Sequence, residues 1–109
     1  IKDFKNANHP PEAHLNHPHF LSAKPGAVVH LSGKASDPDG DKVTYHWWQY
    51  EEVDTYPGKI ALRNENSRKA TFKMPDDART GETIHLILEV TDQGKPSLTR
   101  YQRAIVTCE

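Results

Sequence analysis

The stretch from Thr83 to Asp92, TIHLILEVTD, constrains this chain more than any other, because its apolar residues alternate. Ile84, Leu86, Leu88 and Val90 fall on one side, and His85, Ile87, Glu89 and Thr91 on the other. A period of two is that of a strand with one buried face. A sheet with one buried face needs a second layer to cover it. The same period recurs elsewhere. Between Ala27 and Gly33, Val29 and Leu31 face inward while Val28, His30 and Ser32 face outward. From Lys69 to Met74 the inward set is Ala70, Phe72 and Met74. From Leu98 to Cys108 it is Ala104, Val106 and Cys108, opposite Tyr101, Arg103 and Ile105. Turn signals such as Lys24-Pro25-Gly26, Pro57-Gly58 and Asp92–Ser97 separate these runs. Roughly seven short strands spaced by turns predict an all-β, antiparallel two-sheet sandwich of immunoglobulin-like type.

The strand from Val43 to Glu51 follows directly on an acidic turn, Asp37 to Asp41. Val43 is the first apolar residue after the turn, so Val43, Tyr45 and Trp47 are placed inward. Thr44, His46, Trp48 and Tyr50 then face outward. Two adjacent tryptophans cannot share one face of a strand, so Trp47 goes to the core and Trp48 to the surface. A tryptophan inside the third main strand is what the immunoglobulin-like sandwich uses, here without a disulfide. Lesser elements are a short strand at 59–63 through Ile60 and Leu62, a single helical turn at 76–81, and a loop at 51–58. The segment 12–20 predicts one edge strand, since Pro10, Pro11 and Pro18 exclude a central one.

The 109 residues make one domain, read as 12–109 after a polar linker at 1–11. With a net charge of -1 and no basic block, the chain predicts no nucleic-acid partner. No apolar run is long enough to span a bilayer and no signal-peptide pattern is present, so no membrane contact is expected. The chain lacks an initiating Met and its first residues, IKDFKNANHPPE, read like a linker, so a domain excised from a larger protein is expected. The domain is expected to be a monomer. One cysteine, Cys108, leaves no internal disulfide and reads as a small buried residue ending the last strand. His14, His17 and His19 cluster, but with no carboxylate or thiolate at a fixed offset they read as a solvated edge.

Two places carry chemistry. Asp37, Asp39 and Asp41, with Asp92 at the same end of the sandwich, offer several hard oxygens, the ligands that Ca2+ requires. The competing reading is an Asp/Gly turn whose carboxylates cap their own backbone. The second place is the outward face of strands 43–51, 83–92 and 99–108, which carries His46, Trp48, Tyr50, His85, Glu89, Tyr101 and Arg103, with Ile87 and Ile105 among them. Flat aromatics among hydrogen-bonding groups suit sugar rings, whose C–H faces stack and whose hydroxyls need polar partners. They equally suit a protein interface, or packing under the domain's own loop 51–58. No nucleophile elbow, phosphate loop or pair of facing carboxylates is present, so no enzyme is expected.

The strings SDPDGD, YHWW, ATFKMP and LEVTDQGKPS resemble bacterial Ig-like, cadherin-like and PKD-type modules. DPDGDKVTYHWWQYEEVDTY followed by GETIHLILEVTDQGKPSLTRYQR is similar, over nearly the whole chain, to the C-terminal domain of bacterial proteins of the cellulose-binding family. In that family the domain follows a nucleoside-hydrolase-like domain. The resemblance implies an accessory module of an exported protein, secreted, periplasmic or on the cell surface, in contact with polysaccharide or with the adjacent hydrolase-like domain.

Overall fold

The structure, a computed structural model, describes residues 8–109. Its strands are β1 (Glu12–Leu15), β2 (Phe20–Ala23), β3 (Val28–Ser36), β4 (Val43–Gln49), β5 (Lys69–Lys73), β6 (Thr83–Asp92) and β7 (Thr99–Cys108). They form a three-stranded sheet, β1-β3-β5, and a four-stranded sheet, β2-β7-β6-β4. The all-β two-sheet sandwich predicted from alternation is what forms, and Cys108 is free and buried. Val29 and Leu31 from β3, Ala70 and Phe72 from β5, and Ile84, Leu86, Leu88 and Val90 from β6 meet in one core with Trp47, Ala104 and Val106. The predicted faces of β3, β4, β5, β6 and β7 all hold, and β4, β6 and β7 lie side by side.

Four details differ from the expectation. The pairing is antiparallel except between β2 and β7, which run parallel from Phe20↔Ile105 to Ala23↔Cys108. The single edge strand expected at 12–20 is two strands, one in each sheet. The Asn16 N–H still bonds Ser32 O in the first sheet, while His19 O accepts from Ile105 N–H in the second. Pro18, with no N–H to donate, lies between them at the crossing. The strand expected at 59–63 is reduced to a lone bridge, Arg63↔Thr71. Ile60 and Leu62 still pack on the core, but this backbone serves side chains and β4 instead of a ladder. Ile60 N–H donates to Gln49 Oε1 at 2.8 Å. A little further on, Glu65 O accepts from the Trp47 N–H at 2.7 Å. The helical turn expected at 76–81 is instead a pair of β-turns, closed by Ala78 N–H to Pro75 O and Glu82 N–H to Arg79 O.

The predicted linker also needs correction. Its first part, 1–7, lies outside the described residues. Asn8 Nδ2 donates to Pro96 O at 2.7 Å, the His9 N–H donates to Asp39 Oδ2 at 2.7 Å, and Pro11 is fully buried. The folded unit therefore includes residues that precede Glu12.

Gly33 shows how closely the sheets approach. A Cβ built there would run into Leu88 Cδ2, with Trp47 Cζ2 behind it at 3.6 Å. Neither wall can retreat, because both belong to the core. Gly33→Ala should therefore cost about 1–3 kcal/mol by overpacking, read from urea midpoints. A neutral result would mean that the β3 backbone moves to admit the methyl group.

Candidate functional site

The β4–β6 and β6–β7 registers place the outward residues in rows across the strands. Trp48 is opposite Ile87, which is opposite Arg103; His46 is opposite Glu89, which is opposite Tyr101. Tyr50 lies one residue beyond β4, and its N–H donates to His85 O at 2.9 Å. His85 is in turn opposite Ile105, and Ile105 is opposite Phe20 of β2. Every residue predicted for the aromatic face is thus on one continuous surface. Phe20 was not in the predicted set, and at 74% exposure it is the most exposed large apolar side chain described.

Within this face the groups have different partners. The Trp48 and Tyr50 rings are 5.6 Å apart, tilted by 52°, and the Arg103 guanidinium sits 5.8 Å from the Tyr50 ring centre. Trp48 and Tyr50 are half-buried, while Tyr101 is exposed. Ile87 is buried at 6% although it lies outside the core cluster. Its cross-strand neighbours Trp48 and Arg103 flank it, so the outward face has a small apolar floor of its own. His46 Nδ1 donates to Asn66 Oδ1 at 2.9 Å. His85 Nδ1 is buried without a partner, beside a backbone N–H that donates to Asp54 Oδ1 at 2.6 Å. The loop 51–58, which would cover the aromatics on the packing reading, bonds along the start of β6, where Tyr56 N–H donates to Thr83 O. Tyr56 turns into the core cluster, and its hydroxyl donates to Asp77 Oδ1.

At one end of the sandwich the structure brings Asp37, Asp41 and Asp92 together, with one carboxylate oxygen from each within 4.8 Å of the others. Asp39 points elsewhere: both its oxygens accept from His9, and the His9 N–H holds its carboxyl below the ordinary range. Asp37 Oδ1 caps the turn by accepting from the Asp39 N–H at 2.8 Å, while Asp37 Oδ2 is buried with no partner. Both sequence readings of this turn therefore have a counterpart in the geometry. Asp92 is 1% exposed and its Oδ1 accepts from the N–H groups of Leu98 and Gly94 at 3.0 and 3.1 Å. Asn8 Nδ2 approaches both of its oxygens.

The Leu98 N–H, followed by the Gly94 N–H, the adjacent Asp37 carboxyl and the Asn8 amide, holds the Asp92 carboxyl below its usual value. A depressed carboxyl stabilises the fold above its unfolded-state pKa, near 3.9, and that contribution is lost as pH falls through the lower folded value. Asp41 acts in the opposite sense: burial first, then the Asp37 carboxylate, raises its pKa, so protonating it relieves strain. Stability should fall below about pH 4, and Asp92→Asn should flatten that acid limb while lowering stability at pH 7. Urea midpoints at both pH values check this, and an acid limb unchanged in the variant would assign it to another carboxyl.

Two stacked sheets with a tryptophan buried in β4 and no disulfide make an Ig-like β-sandwich module. The chain belongs to the family of the C-terminal domain of cellulose-binding protein Sde0182, which it matches over residues 28–108. Among solved structures it is similar to a nucleoside hydrolase-related hypothetical protein from Saccharophagus degradans that is associated with carbohydrate metabolism. That similarity has a TM-score of 0.91 at 34% identity and covers 98% of this chain. The chain spans only 27% of the length of that protein. The PKD domain from KIAA 1837 protein shares the fold, with a TM-score of 0.59 at 24% identity over 95% of this chain and 93% of that one. Comparison with curated protein sequences gave no match.

Proposed function

We propose that this domain is a non-catalytic accessory module of an exported bacterial protein, binding polysaccharide through the outward face of β2-β7-β6-β4. The observation that carries the reading is the gathering of Trp48, Tyr50, Tyr101 and Phe20 on one sheet face, with Arg103, His46 and Glu89 among them. Apolar rings flanked by donors and acceptors match the two kinds of surface a sugar ring presents. The cellulose-binding description of the family supports this reading. Affinity electrophoresis of the domain through gels containing cellulose derivatives, xylan, mannan or pectin should show retardation by at least one glycan. Unchanged mobility in every gel would sink the proposal.

A second reading has its own support. The solved relative is nearly four times as long as this chain, and Ile87 flanked by Trp48 and Arg103 is the kind of small apolar centre that protein interfaces use. On this reading the same face docks on a hydrolase-like domain of the parent protein. Iodide quenching of Trp48 separates the two, since docking shields it in the full-length protein and glycan binding leaves it open until ligand is added.

The acidic end takes a calcium ion in this reading. Asp37, Asp41 and Asp92 supply clustered carboxylate oxygens, and the unpartnered Asp37 Oδ2 is the atom that a hard cation would satisfy. Calcium at about a hundredfold over its Kd should raise Tm by on the order of 10 °C, and Asp37→Asn should abolish the rise. The idea fails if chelator and calcium give the same melting curve.

A further inference from the structure

β7 is ten residues long, but β2 accompanies only its last four, Ile105–Cys108. From Thr99 to Arg103 the side of β7 away from β6 is not paired with any strand among the described residues. Along this open edge runs a cleft of about 460 Å3. One wall is Pro11, Glu12 and His14, Pro38 stands at the acidic end, and Arg100 and Tyr101 form the opposite wall. The walls are tied together by Gln102 Nε2, which donates to Ala13 O at 2.7 Å. Tyr101 is 58% exposed and belongs to both places: it ends the His46–Glu89–Tyr101 row of the outward face and lines the cleft. Face and cleft are therefore one continuous surface.

The geometry of the rings decides what kind of glycan that surface admits. A crystalline polysaccharide presents a plane, and rings that bind it must lie in one plane. Trp48 and Tyr50 are tilted by 52°, and the guanidinium of Arg103 stands over Tyr50. Beyond Tyr101 the surface turns inward into a cleft with a carboxylate, an imidazole and a guanidinium within it. A rigid sheet of chains cannot follow that path, whereas a single chain can bend into it. Building on the reading of the outward face as the glycan site, we propose that the ligand is a single soluble polysaccharide chain. It runs from Trp48 past Arg103 to Tyr101, and its end enters the β1–β7 cleft, where Glu12, His14 and Arg100 bind its hydroxyls. Trp48 to Arg103 spans two strand spacings, about 10 Å, and Arg103 to Tyr101 adds about 7 Å along β7. A short oligosaccharide therefore covers one end of the path only.

Calorimetry with β-1,4-linked gluco-oligosaccharides from dimer to hexamer tests this, alongside pull-down on microcrystalline cellulose. Affinity should climb with length by roughly tenfold in total once the chain reaches the cleft, and the microcrystalline pellet should retain no domain. Glu12→Gln and Arg100→Ala, both exposed positions, should erase the gain for the longest oligosaccharides and leave the shortest unaffected. Retention on the crystalline pellet without affinity for soluble chains would overturn the proposal. So would a length dependence that the cleft variants leave intact. Absence of binding to both forms would overturn this extension, and unchanged mobility in every affinity gel as well would remove the outward-face reading with it.

Discussion

Trp47→Ala should leave the domain barely folded. The indole is 1% exposed at the centre of β4, and Nε1 donates to Ser67 O at 3.0 Å. Truncation removes the largest side chain in the core, opens a cavity beside Gly33 and Leu88, and strands the Ser67 carbonyl. Large-to-small changes of this kind cost about 3–5 kcal/mol, against a total stability of roughly 5–15 kcal/mol for a domain. Trp47→Phe keeps part of the ring volume and loses the hydrogen bond, so it should fall between the alanine variant and wild type. Urea denaturation followed by far-ultraviolet circular dichroism gives the order. If Trp47→Ala unfolds at the wild-type midpoint, β4 is not the centre of the core.

Its neighbour should behave in the opposite way. Trp48 is half-buried on the outward face, in contact with Tyr50, so Trp48→Ala should cost only about 1 kcal/mol of stability. The same change should weaken glycan binding by roughly thirtyfold, the loss expected when a central aromatic anchor worth about 2 kcal/mol is removed. Tyr101→Ala should weaken binding by less, because Tyr101 holds one end of the surface. The informative measurement is the pair of effects in one variant. A Trp48→Ala protein that keeps both its stability and its glycan affinity would remove the outward face as the glycan site, and one that binds normally but no longer docks would favour the interface reading.

The register of β4 was legible because the acidic turn gives it a fixed start: Val43 comes first, and alternation then forces Trp47 in and Trp48 out. β6 was legible for a simpler reason, since its apolar residues fill every second position. What the sequence hid depended on partners far along the chain. Phe20 sits in a proline-broken stretch and acquires its place on the face only by pairing with Ile105 of β7. Its signal was present in the alternation of Phe20 and Ser22 with Leu21 and Ala23, over too few residues to read alone. Asp39 belongs by spacing with Asp37 and Asp41, yet His9 draws it away. Ile60 and Leu62 have strand-like spacing, but the Ile60 N–H is taken by Gln49 Oε1. In each case local pattern assigned the side chain, and a nonlocal hydrogen bond decided the backbone.

The parallel pairing of β2 with the end of β7 has a mechanical consequence. Tension applied through the chain on either side of the domain pulls β2 and β7 in opposite directions along their own axes. Their ladder, from Phe20↔Ile105 to Ala23↔Cys108, is then loaded in shear, and its bonds must yield together instead of opening one after another. β1, antiparallel to β3, is dragged lengthwise in the same way. A module loaded through its two ends would meet that pull as a clamp, with β2 as its latch.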